Sequence, residues 1–252
     1  MPNPGKPGCQ SDGLVLAAKA AGEKDRLVTV LSREQGILRA FANGAQKPGS
    51  RLQSATQPFC YGQYEFARRK DTYAITEAQP KELFFGLAAE PSRLALAAYL
   101  AQLAEALAPR EEPAPEQLRL MLNILHFLCN GHRPQPMLKA VAELRLLTLA
   151  GYMPDAARCA PGEPALLDCP EGRLLPYAEG APLPPGCHYL PPAAVAALIH
   201  ICTVPLERVF SFSIPEEPMR LLAAASQAYV GAQWGGRFEA LGVYEQMLNA
   251  EC

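Results

Sequence analysis

The segment of this sequence best suited to chemistry is a glycine-containing stretch with two cations and two serines. It runs from Asn43 to Ser54 and contains Lys47, Ser50 and Arg51. Glycine lets a backbone approach a phosphate closely, Lys and Arg supply charged hydrogen-bond donors, and Ser supplies a neutral donor. These residue types at this spacing predict that the segment binds the phosphate backbone of a nucleic acid.

Further cations flank this segment in the pattern of predicted strands. Lys24 and Arg26 lie at the start of the second predicted strand, and Arg33 lies at its end. The complete set of predicted DNA-binding residues is Lys24, Arg26, Arg33, Arg39, Lys47, Ser50 and Arg51. Tyr61 and Tyr64 are candidate stacking platforms for bases. Cations interleaved with aromatic residues predict backbone binding that depends little on base sequence.

A small β-barrel is predicted to hold these residues. Short apolar or alternating stretches are separated by turn residues, and a longer break follows the third stretch. The stretches cover residues 12–19, 23–33, 36–44, 57–66 and 71–77. This arrangement predicts a five-stranded OB-fold barrel, which typically binds nucleic acids or oligosaccharides on one strand face and its flanking loops.

The predicted fold class of the whole chain is α+β. The OB-fold barrel covers residues 11–79, and an all-α domain covers residues 80–252. Residues 1–10 are rich in Pro and Gly and are predicted to form a disordered tail. An irregular, cysteine-containing insertion at about 154–192 is predicted to interrupt the helices, because it is rich in Pro and Gly and lacks periodicity. The predicted helices cover residues 82–89, 93–107 with Ser92 as N-cap, 116–129, 137–150, 193–202, 217–233 and 237–249.

The two predicted parts carry opposite charge. Residues 1–81 hold 12 Lys and Arg against 7 Asp and Glu, whereas residues 82–252 hold 11 against 18. A basic module attached to an acidic one is typical of a nucleic-acid-binding module carried by another part of the protein. The alternative is a solvated surface whose charges are unevenly distributed.

Several catalytic classes are disfavoured by missing motifs. The sequence has no phosphate-binding G-x-x-x-x-G-K-[ST] motif, no G-x-S-x-G motif and no H-E-x-x-H motif. His126 and His200 lie among apolar helical residues and are interpreted as packed side chains. The eight cysteines form no C-x-x-C pair, and no apolar run is long enough to span a bilayer. These features predict a non-enzymatic, cytoplasmic protein with reduced thiols. Association with the nucleoid is expected from the predicted binding of DNA.

A family resemblance emerges from ordered motifs across both predicted parts. The motifs are DGLVL at 12–16, GEKDRLVT at 22–29, GILRA at 36–40, Gly44, SRL at 50–52, QPF at 57–59, AYL at 98–100, LRLL at 144–147, GYMPD at 151–155 and Cys159. Together they resemble the RecO family of bacterial DNA repair and recombination mediators. The resemblance covers roughly residues 12–160 and implies an OB-fold joined to a helical domain.

The resemblance also implies partners. It implies binding of single- and double-stranded DNA, strand annealing, and cooperation with RecR and the single-stranded-DNA-binding protein in loading the recombinase RecA. In such proteins the helical domain receives the acidic, apolar-ended tail of the single-stranded-DNA-binding protein. The nearby cations available for such a tail are Arg119, Arg133, Lys139 and Arg145.

The cysteines of the insertion depart from the family pattern. Many RecO-like proteins carry two C-x-x-C pairs there, but Cys159 and Cys187 have each lost the second member of the pair. Cys169 and His188 could complete an irregular four-ligand zinc set. Because adjacent residues 187 and 188 suit one tetrahedral site poorly, we expect neither a metal nor another cofactor.

Two other functional classes stay open at the level of sequence. One is an OB-fold assembly protein that binds RNA or protein without a repair role. The other, less favoured, is an enzyme with an unrecognised site in the insertion.

Overall fold

A computed structural model describes residues 9–69, 72–159 and 162–251. It divides into two compact units, one up to Asn130 and one from Gly131 onward. Most of the predicted tail, residues 1–8, lies outside the described residues, and the first strand begins at Cys9. No described helix is both long enough and apolar enough to cross a membrane.

Unit 1 begins with a closed five-stranded barrel. Its strands are β1 (Cys9–Ala21), β2 (Asp25–Ser32), β3 (Gly36–Ala42), β4 (Tyr61–Arg69) and β5 (Thr72–Glu82), in the closed order β1-β2-β3-β5-β4. All pairs are antiparallel except β3 with β5. A short helix, α1 (Leu52–Ala55), lies in the long β3–β4 connection. This topology confirms the predicted OB-fold.

The barrel interior is filled by apolar side chains, and two glycines lie where neighbouring strands approach most closely. A Cβ at Gly13 would lie 2.7 Å from Val30 Cγ1, and a Cβ at Gly62 would lie 2.6 Å from the carbonyl oxygen of Gln79. Both distances are shorter than real Cβ contacts, so only glycine permits this approach of the strands. The core side chains are Val15, Val28, Val30, Leu38, Tyr64, Phe66 and Ile75, with small residues between them.

Two helices complete unit 1. They are α2 (Pro91–Leu107) and α3 (Pro115–Asn130). Helix α2 begins two residues before the predicted start, because Pro91 occupies the first helical turn, and Ser92 is buried within the helix instead of capping it. The α2–α3 connection joins the barrel directly, since the amide of Ile37 donates to the carbonyl oxygen of Pro109 at 2.8 Å.

Unit 2 is helical and contains one small sheet. Its helices are α4 (Gln135–Leu149), α5 (Pro192–Thr203), α6 (Glu216–Trp234) and α7 (Glu239–Glu251). The predicted irregular insertion contains the strands β6 (Ala165–Asp168), β7 (Arg173–Pro176) and β8 (Cys187–Leu190), in the order β7-β6-β8. Sequence analysis did not identify this sheet, because four-residue strands are too short to show alternation. The barrel followed by a helical region confirms the predicted fold class.

Candidate nucleic-acid interface

The glycine-containing segment and the β1–β2 turn form one hydrogen-bonded structure. The Asp25 carboxylate accepts the amide of Gly44 at 2.7 Å, and the Gln46 side chain donates to the Asp25 carbonyl oxygen at 2.7 Å. The backbone amide of Gln46 donates to the Lys24 carbonyl oxygen at 3.0 Å. Gly44 has a φ of +71°, which a residue with a side chain rarely adopts. Lys24 and Lys47 therefore extend from neighbouring, mutually fixed backbones.

Arg26 fixes the helix that follows. Its guanidinium donates to the Gln53 carbonyl oxygen at 3.0 Å and to the Thr56 hydroxyl at 3.1 Å, so it ties strand β2 to helix α1. The Ser50 hydroxyl accepts the amide of Leu52 at 3.3 Å at the start of this helix. Arg26 is half-buried and therefore positions the segment more than it presents charge.

Three cations of the predicted DNA-binding set are exposed on this part of the barrel. Lys24, Lys47 and Arg51 are exposed, and their side chains form no hydrogen bond or ion pair with any other described residue. We call these three residues the cationic surface. Ser50, directly before Arg51, is half-buried beside it. None of the three cations is paired with a carboxylate of the described residues. An anion could therefore contact them without breaking an ion pair.

Arg33 and Arg39 lie elsewhere. Arg33 is at the opposite end of β2 from Lys24, about 30 Å away along the strand, and its guanidinium is 3.8 Å from the Glu34 carboxylate. Arg39 forms an ion pair with Glu105 of helix α2 at 2.9 Å. The structure thus brings together the cationic surface, Arg26 and Ser50, and separates Arg33 and Arg39 from them.

The two tyrosines suggested as stacking platforms already contact other residues of the protein. Tyr64 is 1 % exposed, and its hydroxyl donates to the carbonyl oxygens of Ala55 at 2.8 Å and Cys60 at 3.2 Å, while burial raises its pKa. The Tyr61 hydroxyl donates to Asp12 at 3.3 Å, and the Lys81 ammonium lies 5.5 Å from the Tyr61 ring centroid. The hydrogen bond to Asp12 raises the pKa of Lys81. Neither ring is a free stacking platform.

Sequence analysis missed the aromatic residue that is exposed in unit 1. Phe85 lies in the short helix predicted over 82–89, but its side chain is 80 % exposed at the start of a 3₁₀ turn. An apolar run such as Leu83 to Leu87 carries no signal that tells which member faces solvent.

The four cations predicted to bind a partner's tail lie in different environments. Lys139 and Arg145 are buried inside unit 2, where Lys139 contacts Glu143 at 2.9 Å and Arg145 donates to the carbonyl oxygens of Ile201 and Cys202. The structure places both in the interior and not on the expected basic rim, because each satisfies buried acceptors there. Arg119 is exposed on helix α3 of unit 1.

Arg133 lines a groove in unit 2. This groove of about 520 Å³ lies between the starts of helices α4 and α6. Arg220 adds a second cation that sequence analysis missed, and Glu216 adds one carboxylate. The apolar lining residues are Pro134, Pro136, Met137, Phe212, Ile214 and Met219. Arg220 directly follows Met219 on helix α6, and sequence spacing alone did not show that this helix meets Arg133.

The insertion brings two cysteines near each other without forming a ligand cluster. In the part of the chain that the structure describes, no three His, Cys, Asp or Glu side chains converge in a way that could hold a metal ion. Burial, followed by the charge of Cys187, raises the pKa of the Cys169 thiol to about 12. Cys187 and His188 are consecutive on strand β8, so their side chains point to opposite faces.

Comparison with known proteins identifies relatives over both units. The family model "Recombination protein O N terminal" matches residues 8–84, and "Recombination protein O C terminal" matches residues 88–241. The chain is similar to the DNA repair protein RecO of Acetivibrio thermocellus, with 28% identity over 225 residues, 88% of this chain and 90% of the relative. It is 35% identical over 157 residues to the RecO protein of Pelotomaculum thermopropionicum, and 34% identical over 175 residues to that of Heliobacterium modesticaldum. These alignments cover 62% and 69% of this chain, and 60% of each of the two relatives.

Proposed function

Because the chain belongs to the recombination protein O (RecO) family, we propose that it is a DNA repair protein that works by binding DNA and not by catalysis. The observation that supports this proposal is the cationic surface of Lys24, Lys47 and Arg51 on a closed OB-fold barrel. The surface is a preformed site for phosphates, since the backbones that carry its residues are fixed by Asp25, Gln46 and Arg26.

The charge distribution favours the barrel over the rest of the chain as the DNA-binding part. Residues 1–81 carry a surplus of cations, whereas residues 82–252 carry a surplus of carboxylates. Binding to phosphates releases counterions, so the affinity for single-stranded DNA should fall with salt, with a log–log slope of about −0.7 per phosphate contacted. Contacts to phosphate carry little sequence information, so affinity should vary little among base sequences.

The test is single-stranded DNA binding by the full chain as a function of salt. The Lys47→Ala/Arg51→Ala variant should bind all sequences more weakly, and its salt slope should be less steep by about 1.4, which corresponds to two lost phosphate contacts. Arg33→Ala is the matched control, because Arg33 is an exposed barrel cation at the far end of β2. Equal affinity and slope for the double variant and the unaltered chain would remove the cationic surface from the DNA site.

We further propose, on the family resemblance, that the chain is a recombination mediator. In this role it anneals complementary strands and cooperates with RecR in loading the recombinase. The full chain should accelerate annealing of complementary oligonucleotides, and RecR should alter that rate. Tighter binding to RNA than to DNA of the same sequence, with no annealing, would favour the alternative of an assembly protein without a repair role.

We propose that the groove of unit 2 binds the tail of the single-stranded-DNA-binding protein. Apolar side chains such as Phe212 and Met219 suit an apolar chain end, and Arg133 and Arg220 suit its carboxylates. Arg220→Glu should weaken binding of a labelled tail peptide to the full chain, whereas Arg237→Glu, at an exposed cation of the same unit, should not. Equal loss in both variants would indicate a response to net charge and would contradict the groove.

A further inference from the structure

Phe85 is an apolar side chain in an unusual position. It is the most exposed large apolar residue among those described, at 80 %, while Phe84 before it is 6 % exposed. Leu87, two residues later, is also buried. A lone exposed apolar residue needs no explanation, but the backbone that holds this one is constrained on both sides.

The chain on either side of Phe85 is fixed against helix α3. Phe84 has a φ of +37°, a left-handed conformation that residues other than glycine rarely adopt, and its carbonyl oxygen accepts the Cys129 thiol at 3.5 Å. A Cβ at Gly86 would lie 2.9 Å from Cys129 Cβ, so this close approach requires glycine. The side chain of Phe85 is therefore presented to solvent by a rigid backbone, as a preorganised binding residue would be.

Phe85 forms one wall of a groove. The groove has a volume of about 330 Å³, and its other lining residues are Leu83 and the polar residues Ser50, Gln53, Ser54 and Gln57. The groove thus has an aromatic side and a side rich in hydroxyl and amide groups. That combination suits a flat, hydrogen-bonding ring, because the ring face packs on an aromatic side chain while its edge needs donors and acceptors.

The groove adjoins the cationic surface. Ser50 lines the groove and directly precedes Arg51, and Gln53 is held by the Arg26 guanidinium through its carbonyl oxygen. A nucleotide in the groove would therefore have its phosphate near Arg51 and its base beside Phe85. A paired base is already stacked in a duplex, so only an unpaired base can present its face to a side chain.

We propose that this groove binds one unpaired nucleobase of single-stranded DNA, with the base stacked on Phe85 and its edge facing Gln53 and Gln57. The proposal rests on the DNA-binding function proposed above. It adds to the DNA site a subsite that binds single strands in preference to duplex DNA. Because any base has a stacking face, the subsite is tolerant of sequence.

The test compares Phe85→Ala, Phe85→Trp and Leu94→Ala in the full chain. Leu94 is the matched control, because it is an exposed apolar residue of the same unit at 44 %. Phe85→Ala should weaken binding of single-stranded DNA roughly 5- to 150-fold, the range found when one base-stacking aromatic is removed. Binding of duplex DNA should not change, and Phe85→Trp and Leu94→Ala should retain full affinity for single strands.

An optical experiment provides a second readout. Trp234 is the only tryptophan of the chain, so Phe85→Trp/Trp234→Phe places a single indole in the groove. Stacking of a base should quench its fluorescence when single-stranded DNA is added, and an oligonucleotide of abasic sites should not quench it.

The outcomes separate this proposal from the function on which it rests. If the unaltered chain binds single-stranded DNA and Lys47→Ala/Arg51→Ala weakens it, but Phe85→Ala has no effect, the stacking subsite is overturned and the DNA-binding function stands. If the unaltered chain binds no single-stranded DNA, both are overturned. Equal weakening of single-strand and duplex binding by Phe85→Ala would also overturn the subsite.

Discussion

The buried ion pair between Lys139 and Glu143 makes the sharpest prediction for the stability of unit 2. Side-chain exposure is 6 % for Lys139 and 0 % for Glu143, and their charged atoms are 2.9 Å apart. The Lys139 ammonium also donates to the Ala223 carbonyl oxygen at 3.1 Å, and the Ser226 hydroxyl donates to the Glu143 carboxylate at 2.5 Å. The network therefore joins helix α4 to helix α6.

Lys139→Met removes the ammonium that contacts the buried Glu143 carboxylate. Removing one partner of a buried ion pair costs about 3–5 kcal/mol. Because the Ser226 hydroxyl still donates to the carboxylate, we expect the lower part of this range, about 3–4 kcal/mol. Ser226→Ala removes one hydrogen bond to a charged group and should cost less, about 1.5–3 kcal/mol.

Trp234 provides the assay. It is the only tryptophan of the chain and ends helix α6, the helix that carries Ala223 and Ser226. Urea unfolding followed by tryptophan fluorescence therefore reports on unit 2. The linear dependence on urea gives the free energy of unfolding for each variant, provided that the transition is two-state.

A double variant separates the ion pair from general packing. Lys139→Met/Glu143→Leu removes both charges, and replacing a buried pair by apolar residues is often neutral or stabilising. Ser226 keeps the Ala223 carbonyl oxygen as an acceptor at 3.2 Å. We expect the double variant to be more stable than Lys139→Met alone. A cost below about 1 kcal/mol for Lys139→Met, or a double variant no more stable than the single one, would refute the reasoning.

Three further predictions concern the insertion and the barrel. Purified protein should contain no stoichiometric zinc by elemental analysis, because Cys187 and His188 point to opposite faces of a strand; one tightly bound zinc per chain would contradict this. The pKa of Cys169 is raised to about 12 by burial, so the folded state keeps a proton that the unfolded chain loses above about pH 8.5. The free energy of unfolding should therefore fall from about pH 9 to 12, and urea titrations should show a smaller fall for Cys169→Ala; an unchanged fall would place the thiol in solvent. Arg26→Ala should expose residues 43–56 to limited proteolysis by thermolysin, because the substitution removes the hydrogen bonds that hold helix α1. Arg51→Ala is the control. Equal cleavage of the two variants would show that Arg26 does not hold this helix.

The barrel could be predicted from sequence because its signals are local. Strands of seven to thirteen residues show alternation and turn chemistry, and the long break after the third strand is typical of the OB-fold. The helix starts were predicted within a few residues from the apolar spacing. Helices α2 and α5 begin two residues and one residue before the predicted starts, at Pro91 and Pro192, because proline is well suited to the first helical turn. Strands β6, β7 and β8 have four residues each, and their pairing depends on contacts that no local pattern records.

Whether each cation is exposed or paired could not be predicted, because its contacts are with residues distant in sequence. Arg39 pairs with Glu105, which is 66 residues away, and Arg26 binds the carbonyl oxygen of Gln53. Lys139 was predicted to lie on a basic rim because the family resemblance implies an acidic partner tail. The carboxylate four residues later, at Glu143, was a local signal for its pairing that the sequence interpretation did not use.

The cations of unit 1 differ in whether they contact other parts of the protein. Arg26 and Arg39 satisfy acceptors of the protein, and in doing so they hold helix α1 and helix α2 against the barrel. Lys24, Lys47 and Arg51 are left exposed on the backbone that Arg26 fixes. An exposed cation that is not paired with a carboxylate of the described residues can contact a phosphate without breaking an ion pair first. The cations that sequence analysis grouped as one DNA-binding set therefore divide into three groups. Arg26 fixes the backbone of the cationic surface, Lys24, Lys47 and Arg51 are exposed on it, and Arg33 and Arg39 lie apart from it.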